Sequence, residues 1–239
     1  MRYFRVVIVL LVIVMGALVG NMNFVGAQAL NVEISPVKSN LTLDPGTTSV
    51  QTIRVRNGTN EEQTFFFNKE DFTIGDSQGN VQFFEDAERD KSFSLEDWLT
   101  FTGESITVPA NEESSFDVFI EVPRDAEPGG HYAAVFIQTV APDVLESESS
   151  SIATVGRIGS LLLVTVPGEV NEGLELTDFT SEAPQEDDSN ESNPDRVFIT
   201  TLKNTGNVHI EPAGSITLNG MGVNNDPIVF NDGSSSVLP

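Results

Sequence analysis

The sequence predicts an all-β protein built as β-sandwiches, and three observations point there. Short apolar–polar runs of period two recur along the chain, turn-forming residues punctuate them at regular spacing, and helical periodicity is nearly absent after the first 29 residues. Thr52-Ile53-Arg54-Val55-Arg56 alternates strictly. From Ser115 to Val122, Phe116, Val118, Ile120 and Val122 share one face, while Ser115, Asp117 and Glu121 share the other.

Two further runs, Tyr132 to Val140 and Leu161 to Val166, are apolar on both faces, as strands covered on both sides are. Turn chemistry separates the runs at Asp44-Pro45-Gly46, Asn57-Gly58, Gly75-Asp76, Gln78-Gly79-Asn80, Pro109-Ala110-Asn111 and Pro128-Gly129-Gly130. One helix-like patch stands out, Ser94 to Leu99, where Ser94 is placed to cap a single turn with Asp97 at its third position. Many short strands at this spacing predict Ig-like sandwiches.

The N-terminus addresses the chain to export. Arg2 and Arg5 precede an unbroken apolar stretch from Val6 to Val19, and Ala27-Gln28-Ala29 offers a small-residue cleavage site. This three-part layout predicts a signal peptide over residues 1–29. An uncleaved anchor is the alternative, because Asn21 to Val25 would lengthen the apolar span. No cysteine follows the cut, which excludes a lipid-anchored lipoprotein.

Charge then restricts the partners. Two arginines and no acid leave with the leader, so the formal net charge of −24 becomes −26. Nucleic acid is excluded, since phosphate binding runs on lysine and arginine. Anionic membrane surfaces are disfavoured for the same reason. The acid suits solubility first, and collection of divalent cations second. Cysteine is wholly absent, so the fold must rest on buried apolar surface, with 16 phenylalanines to supply it. An exported chain without disulfides suggests a bacterial surface setting.

The second half restarts the first. Thr52 to Thr59 reads strand, basic residue, asparagine and turn, and Thr200 to Asn207 reads the same way. Two tandem Ig-like β-sandwich domains are expected, over 30–167 and 170–239. The second is expected to be incomplete, because Ser236-Val237-Leu238-Pro239 parallels Ile106-Thr107-Val108-Pro109 without the strand that follows there. A membrane anchor beyond Pro239 is left open. Two polar stretches, Asp143 to Ser151 and Pro184 to Pro194, read as surface loops.

Catalytic chemistry finds few residues. His131 and His209 fall in different expected domains, and neither has a nucleophile elbow nearby. Gly75 to Asn80 carries Asp76 but lacks the second carboxylate and the terminal Glu of a calcium loop. Trp98, flanked by Leu99 and Phe101, reads as a core pin ahead of a sugar platform. No catalytic, metal or cofactor residue is therefore assigned, no cofactor is expected, and the ligand-binding residues stay unassigned.

The motifs Ile34-Ser35-Pro36, Leu43-Asp44-Pro45-Gly46, Val55-Arg56-Asn57 and Val122-Pro123 through Ala126-Glu127-Pro128-Gly129-Gly130-His131-Tyr132 resemble the first domain of bacterial WxL-interacting surface proteins. Lys203 to His209 is similar to the start of that family's second domain. The resemblance implies a peptidoglycan-binding Ig-like domain followed by one that engages other proteins. It also implies a closing membrane helix, which would lie beyond Pro239.

Three functions follow as expectations. The first is a non-enzymatic cell-surface protein binding peptidoglycan or partner surface proteins. The second is an assembly or chaperone-like module that accepts a partner strand at a sheet edge, for which Arg54, Arg56 and Lys69 are a sparse basic marking. The third is the accessory module of a larger secreted hydrolase.

Overall fold

A computed structural model describes residues 31–74, 80–84, 91–139, 156–182, 197–218, 227–230 and 238. The chain divides into Met1–Leu30 and Asn31–Pro239, and all described residues belong to the second unit. The expected signal peptide, the turn at Gly75 to Gly79 and both polar stretches (Asp143 to Ser151, Pro184 to Pro194) lie outside them.

Ten strands build an Ig-like sandwich. They are β1 (Val32–Ser35), β2 (Lys38–Thr42), β3 (Thr48–Asn57), β4 (Gln63–Ile74), β5 (Val81–Phe84), β6 (Leu99–Phe101), β7 (Ser105–Val108), β8 (Glu113–Glu121), β9 (Gly129–Gln138) and β10 (Arg157–Val166). One sheet runs β1-β3-β8-β6; the other runs β2-β10-β9-β4-β5, with β7 sharing the β5 side of β4. All pairings are antiparallel except β2 on β10. The first stretch of chain thus changes sheets at Pro36 and Val37, whose carbonyls take the Ser160 hydroxyl at 2.6 Å and the Leu161 amide at 2.8 Å.

Alternation places the core as the sequence predicts. Ile53 and Val55 on β3, and Phe116, Val118 and Ile120 on β8, turn inward against Phe65, Phe67, Val135, Ile137, Leu162 and Val164 of the facing sheet. Phe67 stacks on Phe116 with centroids 4.1 Å apart. Each such side chain contributes on the order of 1.5–3 kcal/mol through its removal from water.

Strand β9 is buried along its whole length, which accounts for its doubly apolar sequence. Its outer face joins Phe72, Tyr132, Ala134, Phe136 and Leu163 with Leu238, and Phe93 packs against them. Glycine is required twice on this face. A Cβ on Gly130 would occupy the place of the Tyr132 hydroxyl, and one on Gly159 would strike the Phe136 ring across the ladder. Arg157 lies over Phe136, 3.4 Å from the ring centre, and pairs with buried Glu70.

The helix-like patch becomes one 3-10 turn, Glu96–Trp98, and its cap differs from the expected one. Ser94 does not cap it. Ser94 instead donates its hydroxyl to Asp71 Oδ2 at 2.5 Å, and Asp71 Oδ1 takes the Leu95 and Glu96 amides at 2.9 and 2.8 Å. A carboxylate from β4 thus satisfies the turn's free donors, over a separation no local pattern encodes.

Beyond the sandwich, β11 (Leu174–Glu182) pairs with β12 (Val197–Asn204), and β13 (Gly214–Ile216) with β14 (Ile228–Phe230). The internal repeat is visible in atomic detail at Asn57 and Asn204. Asn57 Nδ2 donates to the Glu61 carbonyl and its Oδ1 takes the Thr59 amide; Asn204 Nδ2 donates to the Val208 carbonyl and its Oδ1 takes the Gly206 amide. Asn57 stands opposite Val32 as Asn204 stands opposite Leu174. Gly58 donates to the Asn31 carbonyl as Thr205 donates to that of Gly173. Ribbon β11–β12 therefore repeats β1–β3, residue for residue near the asparagine.

The turn after β12 is latched to the sandwich. The Gly130 amide donates to the Asn207 carbonyl at 2.8 Å, and Asn207 Nδ2 donates to the carbonyls of Pro128 and Glu169. Glu211 accepts from Lys38 at 2.7 Å and from Asn40 at 2.8 Å.

Candidate functional site

The residues with catalytic potential come together in part. Asp71, Ser94 and His131 are neighbours and all buried. Their connection is not that of a nucleophilic triad. The Ser94 hydroxyl donates to Asp71, while the two ring nitrogens of His131 lie 3.0 Å from the backbone carbonyls of Ser94 and Glu127. With both nitrogens held there, no base faces the hydroxyl, and its acid partner holds it inside the fold. The group serves to fix the 3-10 turn on β9.

Trp98 sits on the same node. Its ring centre is 4.2 Å from that of His131 and packs against the main core, half-buried. The half-buried setting fits the core-pin expectation better than a sugar platform, which needs a free face.

His209, the other histidine, is edge-on to Tyr132, with centroids 5.7 Å apart. Burial pushes its pKa below the ordinary value; Glu211 opposes this and Lys38 adds to it. Its Nδ1 and the Tyr132 hydroxyl are both buried without a hydrogen bond of full geometry. Burial also raises the Tyr132 pKa strongly. Glu96 is raised by its own burial first and by Asp71 second.

The basic trio is not gathered at an edge. Arg54 and Arg56 lie on the outer face of β3, an interior strand between β1 and β8, where Arg56 stands opposite Glu33 and Glu113. Lys69 points the other way and donates to the carbonyls of Glu96 and Leu99 at 2.9 and 2.7 Å. Together they mark no carboxylate site. Among the described residues no acid and histidine cluster is arranged to hold a metal, and no helix is long and apolar enough to cross a membrane.

What remains uncovered is the ribbon. Every residue of β11 is exposed. Register and the bulge at Thr177 put Leu174, Leu176, Phe179, Leu202 and Phe198 on one face. Leu176 is 59% exposed and Phe179 50%, and Phe179 stacks on Phe198 at 6.2 Å. The opposite face carries Glu175, Asp178 and Glu182 together with the exposed Val197 and Ile199. In the first repeat, the face equivalent to the apolar one points into the sandwich core, through Val32, Ile34, Val55 and Ile53. Sequence reading found the repeat and expected an incomplete second sandwich with its core face exposed, but did not name the residues of that face.

An Ig-like sandwich followed by an open two-stranded ribbon is the class that these strands define. No protein-family model and no curated protein matches the chain. Solved structures do. A chaperone–tip adhesin complex of CFA/I fimbriae is 14% identical, with 87% of this chain and 82% of that one covered, at a TM-score of 0.45. The class 5 fimbriae chaperone CfaA gives 15%, 87%, 82% and 0.44. The E. coli chaperone DraB gives 10%, 88%, 82% and 0.42. At such values the strand pairings themselves remain the ground for the fold.

Proposed function

We propose that this chain is a non-enzymatic, exported binding protein of the cell envelope that engages a partner polypeptide. The observation behind this is the ribbon, where Leu174, Leu176 and Phe179 stand in water together, while the sandwich buries most of its large apolar residues. Exposed apolar surface of this kind marks interaction sites. Among the described residues no further strand pairs with β11 or β12, and such an edge suits an extended peptide, which pairs through its backbone and seats alternate side chains. Export rests on Arg2, Arg5, the Val6 to Val19 run and Ala27-Gln28-Ala29. Peptidoglycan binding, the other half of the surface-protein reading, has no comparable side-chain feature behind it, since Trp98 lies against His131.

Photo-crosslinking residues placed at 176 and 179, with one at 52 on the sandwich as control, test the reading on intact cells. The ribbon positions should trap polypeptide and position 52 should not. Adducts with glycan alone, or none, would end it in favour of the wall polymer. Mass spectrometry of the exported protein should begin at Leu30, and recovery of the Met1 peptide from membranes would favour the retained anchor.

A further inference from the structure

The segment that leaves β12, from Asn204 to Glu211, closes onto the sandwich through three contacts of different chemistry. Asn207 makes the first. Its carbonyl takes the Gly130 amide, its Nδ2 reaches the Pro128 and Glu169 carbonyls, and its Oδ1 takes the Asn171 amide at 2.7 Å. None of these groups titrates. Glu211 makes the second, accepting from Lys38 and Asn40 of β2. Both partners of that ion pair are part-exposed, so it adds little, and it persists while the carboxylate is ionised.

His209 makes the third contact, between the other two in the chain. Its ring lies edge-on to Tyr132 of β9, and its Nδ1 is shut away from solvent without a hydrogen bond. A neutral imidazole can leave that nitrogen as a bare lone pair. The charged ring carries an N–H on both nitrogens, and the one at Nδ1 would be buried without an acceptor. The geometry points to an acid-released clasp: protonation of His209 frees residues 204–211 from β9 and β2. The device is independent of what the ribbon binds.

The groups around the ring set the sign. Burial disfavours the charged form most, Glu211 of the same segment favours it, and Lys38 of β2 opposes it. Tyr132 of β9 faces the ring with a hydroxyl that burial keeps neutral. The closed clasp therefore holds the neutral ring, and the open one, with the ring in water, takes up a proton first. With the open ring titrating near its ordinary 6.5, acidification from pH 7.5 to 5.5 raises the opening equilibrium by at most about tenfold. Protonation thus biases the clasp, and the Asn207 contacts keep the closed state populated.

Amide exchange in the full chain, corrected for the intrinsic effect of pH on exchange chemistry, tests this. The Gly130 amide reads the clasp, because its acceptor is the Asn207 carbonyl; the amides of Ala133 to Val135, in the middle of β9, read the core. Gly130 should open more readily than the core at pH 7.5, and its opening should rise by about three- to tenfold at pH 5.5. His209→Gln should abolish that rise. His209→Phe should abolish it too, and keeps a ring against Tyr132 in case glutamine leaves the clasp open at every pH. Glu211→Gln should loosen the clasp at both pH values and retain the rise. A rise that survives both His209 variants overturns the proposal, as does one that Glu211→Gln removes. So does exchange of Gly130 only together with the middle of β9, since the segment is then part of the core.

Discussion

Tyr132 concentrates several competing demands. Its ring fills the outer cluster of β9 and requires glycine at position 130, yet its hydroxyl is buried without a full hydrogen bond. Tyr132→Phe should therefore leave stability unchanged or raise it by about 1 kcal/mol, read as a higher denaturant midpoint at constant slope. Gly130→Ala should cost roughly 1–3 kcal/mol by displacing the ring. His209 beside it gives a pH signature. Burial holds its pKa below the ordinary value near 6.5, so the folded state prefers the neutral ring while the unfolded chain takes up a proton first. Its contribution is complete above about pH 6.5 and is lost as pH falls from there through the lowered folded value. Wild type should lose more stability between pH 7.5 and 5.5 than His209→Gln; equal losses would place the ring in solvent.

At the level of elements, the 3-10 turn depends on one distant acid. Asp71→Ala leaves the Leu95 and Glu96 amides and the Ser94 hydroxyl without their acceptor, which should cost roughly 2–4 kcal/mol in chemical denaturation. Trp98→Ala should cost about 2–4 kcal/mol, below the full value for a large aromatic because it is only half-buried. These two cases also mark where the sequence is legible. Alternation in Thr52 to Arg56 and Ser115 to Val122 located β3 and β8 with their inward residues, because period two is a local property. The doubly apolar run from Tyr132 announced a strand covered on both faces. The turn near Ser94 was found but its cap misread, because Asp71 reaches it from another strand. In the ribbon, the repeat of Asn57 at Asn204 can be read in order, and with it an incomplete second sandwich whose core face is open; which residues form that face depends on the β11–β12 register and its bulge.

Across the whole molecule, protection should be uneven. Strand β9, buried along ten residues between β4 and β10, belongs to the slowest-exchanging core, while β11 should exchange orders of magnitude faster. Equal protection along both would mean that the ribbon is covered. The latch at Asn207 should report separately: Asn207→Ala removes the side-chain bonds to Pro128, Glu169 and the Asn171 amide while keeping the backbone bond to Gly130. It should speed exchange in residues 204–211 and leave β3 and β8 untouched.

The stretch from Val32 to Thr42 belongs to both sheets, through β1 on β3 and β2 on β10. Its mechanical consequence would show when the chain is pulled from its N-terminal side. A load applied at Asn31 along the strand axis acts on β1 lengthwise, so the β1–β3 bonds are stressed together in shear and not peeled one after another. What passes Pro36 arrives at β2, whose parallel bonds to Leu161 through Thr165 are again loaded side by side. A single strand thus works as a rivet through both plates of the sandwich, and the fold resists tension from that side through two sheared ladders in series.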